Sequence, residues 1–460
     1  MRYSEENYEN PIKGEIYSVE RLEEYAAYLA EQLTVGKNPK KSQPLLKRMR
    51  DNGVKLLSAY RALTEAIHNK ESITPAGEWL TDNFHIVEDQ LRDIRQDLPP
   101  TFYKELPKIT QGEMTGYPRI YVIALALVAH TDSQLESDTV RRFIHAYQKV
   151  TPLTIGELWA IAITLRLVLV ENLRRIALRV IEDHKNRNRA NHFADELFEN
   201  AKEHGKFQML VDKLPTECSQ PLREDCAYMA QMAKRLRDQE PEVWPALERL
   251  EKHLVQSNTT TEKLVHLSHQ AQATHQVTVA NIITSMRLLS SLNWQEFFES
   301  VSLVDRTLEH DPIYGKLDFQ TRDRYRHKIE QIAKRTKNAE IEIAKNVVSL
   351  AELASGDRRK SHVGYYLIEK GVRDLESKVG CSSRGRIFSF FASRPSLVYF
   401  SVFLLLLALS LAIPLNYAAN HGVSFWLLFL VATIILVPCS DLSIGVTHFI
   451  LTHAIRPKNL

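Results

Sequence analysis

The chain has 460 residues, 59 Lys and Arg against 56 Asp and Glu, and a net charge of +3. That near balance excludes the strongly basic face of a nucleic-acid binder and offers nothing to an acidic substrate, while the length predicts two or three units at about 100 to 200 residues each. The four cysteines, Cys218, Cys226, Cys381 and Cys439, form no CxxC pair and read as reduced thiols, the last of them in a membrane segment.

The opening MRYSEENYENPIKGE has no apolar core, so no cleaved signal peptide is expected. With only 16 glycines in the chain and few alternating patterns, the soluble part is expected to be nearly all helix. Ser18 is placed to cap a helix from Val19 to Leu33, and a second helix covers about Leu45 to His68. Thr74 as N-cap, Pro75 at the first position and the spacing of Leu80, Phe84, Val87, Leu91, Ile94 and Leu98 predict one amphipathic helix about six turns long. Pro99, Pro100 and Pro107 predict an extended connector through Tyr117.

Tyr121 to Ala129 is apolar on every side but too short to cross a bilayer, so it is expected in a soluble core. Thr154 and Glu157 form a capping box that opens a helix from Ile155 to Asp183. Its apolar first half is read as protein core rather than membrane, because Arg166, Glu171, Arg174 and Arg175 fall inside the window a membrane span needs. Further helices are predicted over Arg189 to His204, Arg223 to Gln239, Val243 to Gln256, Thr261 to Ser290, Trp294 to His310, Thr321 to Leu353 and Val363 to Lys378.

From Pro395 to Ser440 there is no Asp, Glu, Lys or Arg. Two runs of apolar residues in that stretch, Leu397 to Ile413 and Phe425 to Cys439, predict a two-helix transmembrane hairpin. Arg384, Arg386 and Arg394 precede it, Arg456 and Lys458 follow it, and the connector Asn416 to Ser424 has neither Lys nor Arg. Both ends are therefore expected in the cytoplasm.

Three polar groupings are candidates for chemistry. His266, His269 and His275 could share a metal only in part and are read as a polar helix face. The run Asp183 to Arg189 is read as a solvated turn after a long helix, with an anion site as the alternative. Arg322, Arg324 and Arg326 follow a Pro-Gly turn at Asp311 to Phe319, with Thr321 as the expected cap, and are candidates for docking another domain, with local salt bridging as the alternative. No glycine-rich phosphate loop, GxSxG, HExxH or DxD motif is present, so no catalytic residue, metal ligand or cofactor site is assigned.

The segments GEWLTDNFHIVEDQLRDIRQDLPPTFYKELPK (77–108), GYPRIYVIALALVAHTDS (116–133), TIGELWAIAITLRLVLVENLRRIA (154–177), DPIYGKLDFQTRDRYRHKIEQIAK (311–334) and HVGYYLIEKG (362–371) carry a resemblance. Together they resemble the N-terminal region of bacterial cyclic β-1,2-glucan synthase, in the family's order and ahead of a membrane hairpin. The resemblance implies a much longer membrane enzyme with a glycosyltransferase of family 84, UDP-glucose as donor with a divalent cation, and a glycoside phosphorylase-like module. It implies synthesis of periplasmic cyclic glucans at the bacterial inner membrane, and a chain cut before the transferase and inactive alone. Implied partners are inner-membrane lipids, the missing transferase and phosphorylase-like modules, and a second copy; no nucleic acid is expected. None of the family's catalytic residues has a matching position here.

The expected architecture is all-α: a multi-helix cytoplasmic region followed by the hairpin. It divides into an N-terminal extension (1–40), a helical domain (41–210), a second helical region (211–395), membrane helices at 396–418 and 424–440, the latter with a lower end as far as 455, and a juxtamembrane tail (441–460). The rival reading is a stand-alone membrane-anchored helical adaptor or sensor.

Overall fold

The structure, a computed structural model, describes residues 10–36, 45–214, 226–237, 241–256, 259–354, 356–380 and 395–454. The chain divides between His310 and Asp311 into two compact units. The described residues are overwhelmingly helical, as the sequence predicts.

The first unit opens with α1 (Val19–Gln32), α2 (Leu45–His68), α3 (Pro75–Asp82), α4 (Phe84–Asp97) and α5 (Pro100–Glu105). It continues through α6 (Arg119–His130), α7 (Ser137–Val150), α8 (Ile155–Glu199), α9 (His204–Asp212), α10 (Cys226–Arg237), α11 (Trp244–Gln256), α12 (Thr261–Ser291), α13 (Trp294–Val301) and α14 (Leu303–Leu308). Strands β1 (Val35–Gly36) and β2 (Lys108–Ile109) pair antiparallel, Val35 opposite Ile109.

The spine is α8, 45 residues and therefore about 68 Å long at 1.5 Å per residue. It starts where expected: Glu157 N donates to Thr154 Oγ1 (3.2 Å) and Thr154 N to Glu157 Oε2 (2.9 Å). Helices α2, α4, α6, α10 and α12 pack around it, so its first half is buried on all sides. The charges inside that half are met one by one. Arg119 of α6 forks onto Glu157, with Nε to Oε1 at 2.7 Å and Nη2 to Oε2 at 2.5 Å. Glu171 receives Arg175 one turn on, Arg48 from α2 and the Tyr121 hydroxyl (3.1 Å), while Arg166 reaches Asp93 at 3.3 Å and the Leu289 carbonyl at 3.1 Å. Such buried pairs add little net stability against an apolar replacement, but breaking one leaves a stranded charge, so they fix the register of the packing.

In the first unit the structure departs from four expectations. The six-turn stripe is two helices, α3 and α4, because Asn83 turns its side chain back to the Trp79 carbonyl (2.9 Å) and accepts from Arg287 of α12 (2.5 Å). The proline connector contains α5, with Pro100 at the first helical position, where its fixed φ suits a helix start, and then β2. The run Asp183 to Arg189 is no turn, since α8 continues through it to Glu199. The helix expected from Trp294 to His310 breaks at Ser302, whose hydroxyl accepts from Asp305 N (3.2 Å) and caps α14.

In the second unit, α15 (Phe319–Thr336), α16 (Glu340–Leu353), α17 (Val363–Leu367) and α18 (Val372–Lys378) form a small packed cluster. The cap of α15 is Asp318, which accepts from Thr321 N (3.3 Å), rather than Thr321 itself; the helix ends at Lys337, φ 62°, so the single helix expected to Leu353 is two. Then come α19 (Pro395–Asn420) and α20 (Phe425–Ala454), joined by a turn with Gly422 at φ 78°. They pack antiparallel: Tyr399 Oη lies 3.1 Å from His448 Nε2, and Ser410 Oγ 3.5 Å from Ser443 Oγ. Tyr399–Asn420 and Phe425–Ile450 are long and apolar enough to cross a membrane and are largely exposed, so the described residues do not cover them as they cover a soluble core helix. The second helix runs through Asp441 without a break. Arg384, Arg386, Arg394, Arg456 and Lys458 lie outside the described residues, as do Cys218 and Cys381.

Candidate functional site

The basic run on α8 and the histidines on α12, read separately in the sequence, are brought together. The two helices pack side by side and border two adjoining clefts that share Ala227 and Ser268. Among the described residues no group of three or more His, Cys, Asp or Glu is arranged to hold a metal ion. His266 and His269 are exposed and His275 is half-buried.

The first cleft, about 500 Å³, is lined by Lys13, Asp132, Arg179, Asp183, His275 and Thr278 among others. Burial, then the cations Arg179, Lys13 and Arg187, push the His275 imidazole down to about 4, so it is neutral at pH 7. Burial also raises the Asp183 carboxyl above its ordinary range, with Arg187 and Arg179 opposing. The cleft thus offers a neutral imidazole, a carboxyl whose pKa burial raises and two cations.

One wall is the turn after α6, where Asp132 and Ser133 adopt left-handed backbone, φ 47° and 64°. Non-glycine residues there cost on the order of 1 to 3 kcal/mol each and persist only when their surroundings over-determine them. Helix α12 does this with one face: Thr278 Oγ1 donates to Asp132 Oδ1 (2.9 Å), Asn281 Nδ2 to the Asp132 carbonyl (3.1 Å) and Ser285 Oγ to the Ser133 carbonyl (2.7 Å). The N-terminal segment closes the same wall, with Ile12 N donating to Asn172 Oδ1 at 2.7 Å. Sequence reasoning missed this wall. The signal was Thr-Asp-Ser directly after an all-apolar helix, residue types that tolerate tight turns.

The second cleft, about 590 Å³, is lined by Glu71, Arg187, Asn188, His192, Asp195, Lys234 and His269 among others. Glu71 accepts from Asn188 and faces His184 Nε2 at 2.9 Å; these two bonds hold its carboxyl below the usual carboxylate range. Asp195 is paired with Arg235. Apart from these two acids, the charged side chains lining the cleft are Arg187 and Lys234, among neutral hydroxyl, amide and imidazole groups.

The three candidate docking arginines do not share a surface. Arg324 is exposed and Arg322 half-buried, while Arg326 is 0% exposed, lies over the Phe319 ring at 4.8 Å and pairs with Asp323 at 3.5 Å. Arg326 therefore belongs to the packing of α15. Beside it, Asp311 accepts from His362 Nδ1 (2.5 Å) and from Val363 N (2.9 Å), and His362 Nε2 lies 3.0 Å from Tyr325 Oη. A Cβ on Gly364 would fall 2.2 Å from that hydroxyl, so the glycine is required there. This chain of bonds ties residues 311–325 to 362–364, two of the segments that carry the family resemblance.

No family model matches the chain. Over an alignment 468 positions long that takes in 99% of the chain, it is 30% identical to the cyclic beta-(1,2)-glucan synthase NdvB of Rhizobium meliloti (strain 1021). The chain spans 16% of that protein's length. The resemblance carried by the five segments thus extends along nearly the whole chain.

Proposed function

We propose that the chain is the N-terminal helical and membrane-anchoring part of a cyclic β-1,2-glucan synthase. The observation that carries this is the 30% identity over 99% of the chain to a protein of which it covers 16%. In this reading the first unit and α15–α18 form a cytoplasmic scaffold, and α19–α20 anchor it in the bacterial inner membrane. The connector without Lys or Arg crosses to the periplasm and both flanks stay cytoplasmic. UDP-glucose, its divalent cation and the catalytic residues belong to transferase and phosphorylase-like modules outside these 460 residues. Exposed Arg324, with half-buried Arg322, is the part of the arginine-rich turn positioned to meet them.

The test supplies this chain in trans to the relative lacking its aligned portion, in membranes given radiolabelled UDP-glucose. β-1,2-Glucan is expected only when both pieces are present. Product from this chain alone would overturn the division of labour. No product from two stably inserted pieces would overturn the assignment.

A further inference from the structure

Asp441 lies within a helix that, among the described residues, is covered on one face only, by α19. Its depth follows from the packing of the hairpin. Cys439 Sγ approaches the Ser410 carbonyl at 3.6 Å and Ser443 Oγ approaches Ser410 Oγ at 3.5 Å, so Asp441, between them in sequence, is level with Ser410. On α19, Tyr399 and Tyr417 stand eighteen residues apart, about 27 Å at 1.5 Å per residue, which matches a hydrocarbon layer flanked by aromatic anchors. Ser410 sits roughly 16 Å from one and 10 Å from the other. Asp441 is therefore inside the layer.

Its carboxylate does not face α19. Ser443 and Thr447, which turn inward, are buried, whereas Asp441 is exposed and makes no hydrogen bond or ion pair among the described residues. It borders an open groove with Pro438, Leu442, Gly445, Val446 and Phe449. A Cβ on Gly445 would meet nothing within 4 Å, so a neighbouring backbone has room to approach closely. A carboxylate facing lipid at this depth costs on the order of 2.5 to 3.5 kcal/mol, and ionisable residues inside a bilayer are met by a partner group.

We infer that the Asp441–Gly445 face of α20 receives another transmembrane helix, one carrying a Lys or Arg at the same depth. A second copy of this chain does not fit. Its hairpin has no Lys or Arg from Pro395 to Ser440, and pairing like faces would set Asp441 against Asp441. The occupant is a helix from outside these 460 residues. The inference rests on the membrane-spanning reading of the hairpin and not on the glucan assignment.

The test places photoreactive benzoylphenylalanine at Leu442, or at Ile444 on another face of α20, in the full chain in its native membranes. Adducts are identified by peptide sequencing, and the same membranes are washed in alkaline carbonate. The expected adduct from position 442, and not from 444, is a transmembrane segment with a Lys or Arg within one turn of the attachment site. Asp441→Lys should lower its yield about tenfold, equivalent to roughly 1.4 kcal/mol, and changing that basic residue to Asp should restore it. Asp441→Asn, which keeps the shape, guards against loss of insertion and should lower the yield while the chain stays in the membrane. Adducts with lipid only, with a second copy, or insensitive to both substitutions would overturn the docking face alone. Release of the chain by carbonate would overturn the membrane reading together with it.

Discussion

Two stretches of this chain are apolar on nearly every side of a helix: the first half of α8 and the hairpin α19–α20. In α8 the apolar surface is covered by other helices, and charges at Glu157, Arg166, Glu171 and Arg175 are buried with it. In the hairpin most apolar side chains point outward, and Asp441 is the one Asp, Glu, Lys or Arg among its described residues. The difference is one of solvent. A protein neighbour can bring an opposite charge to each buried one, as Arg119 does for Glu157, whereas hydrocarbon cannot. The charges thus record what covers a helix more reliably than its hydrophobicity does.

The sharpest way to break that contrast is to remove an acid from α8. Glu171→Leu would leave Arg48 and Arg175 without their shared carboxylate, and the expected loss is about 3 to 5 kcal/mol in denaturant titration of the detergent-solubilised chain. A loss under about 1 kcal/mol would mean that α8 is held by apolar packing alone and is no different in kind from the hairpin. The converse change adds a charge to α19. Leu409→Lys, on an exposed position, should cost on the order of 2.5 to 3.5 kcal/mol of insertion, read as the fraction of chain retained in carbonate-washed membranes. Unchanged retention would show that the outward face of α19 does not meet lipid.

The smallest expected effect concerns the far half of α8, where charges meet a wet cleft instead of a dry core. The unfolded chain protonates His275 near 6.5, but in the fold protonation waits until about 4. Stability is therefore fully present above 6.5 and falls as pH drops through that window, because the unfolded state binds more protons there. Asp183, raised by burial, works in the opposite direction and blunts the slope. His275→Gln should flatten the acid side of a stability-against-pH curve while leaving the neutral plateau in place; an unchanged slope would mean that His275 is solvated.

Local chemistry was legible where local groups decide the outcome. Ser18, Thr74 and the Thr154–Glu157 box cap the helices the sequence assigns to them, and the all-α class and the apolar hairpin follow from period and composition. The misread boundaries are those that distant residues decide. Asn83 breaks a helix with Arg287 as its partner, and the run at Asp183 to Arg189 stays helical with Glu71 of the loop after α2 bonded to His184 and Asn188. The clefts were illegible for the same reason. His275 and Asp183 each look like solvated polar residues until α8 and α12 are laid together.

The clamped turn at Asp132 and Ser133 has a consequence in time. Thr278 follows Asp132 by 146 residues. A ribosome adding roughly 5 to 20 residues per second delivers it about 7 to 30 s later. Until then the left-handed backbone lacks its three bonds from α12 and has only local backbone bonds and the one from Asn172 Nδ2 to Ser133 Oγ (2.9 Å), so α6, α8 and α2 can associate while the turn beside them is only partly held. The N-terminal segment waits as well, because Ile12 seats on Asn172, 160 residues downstream. The described stretch that leaves the ribosome first is thus not the first to find its place.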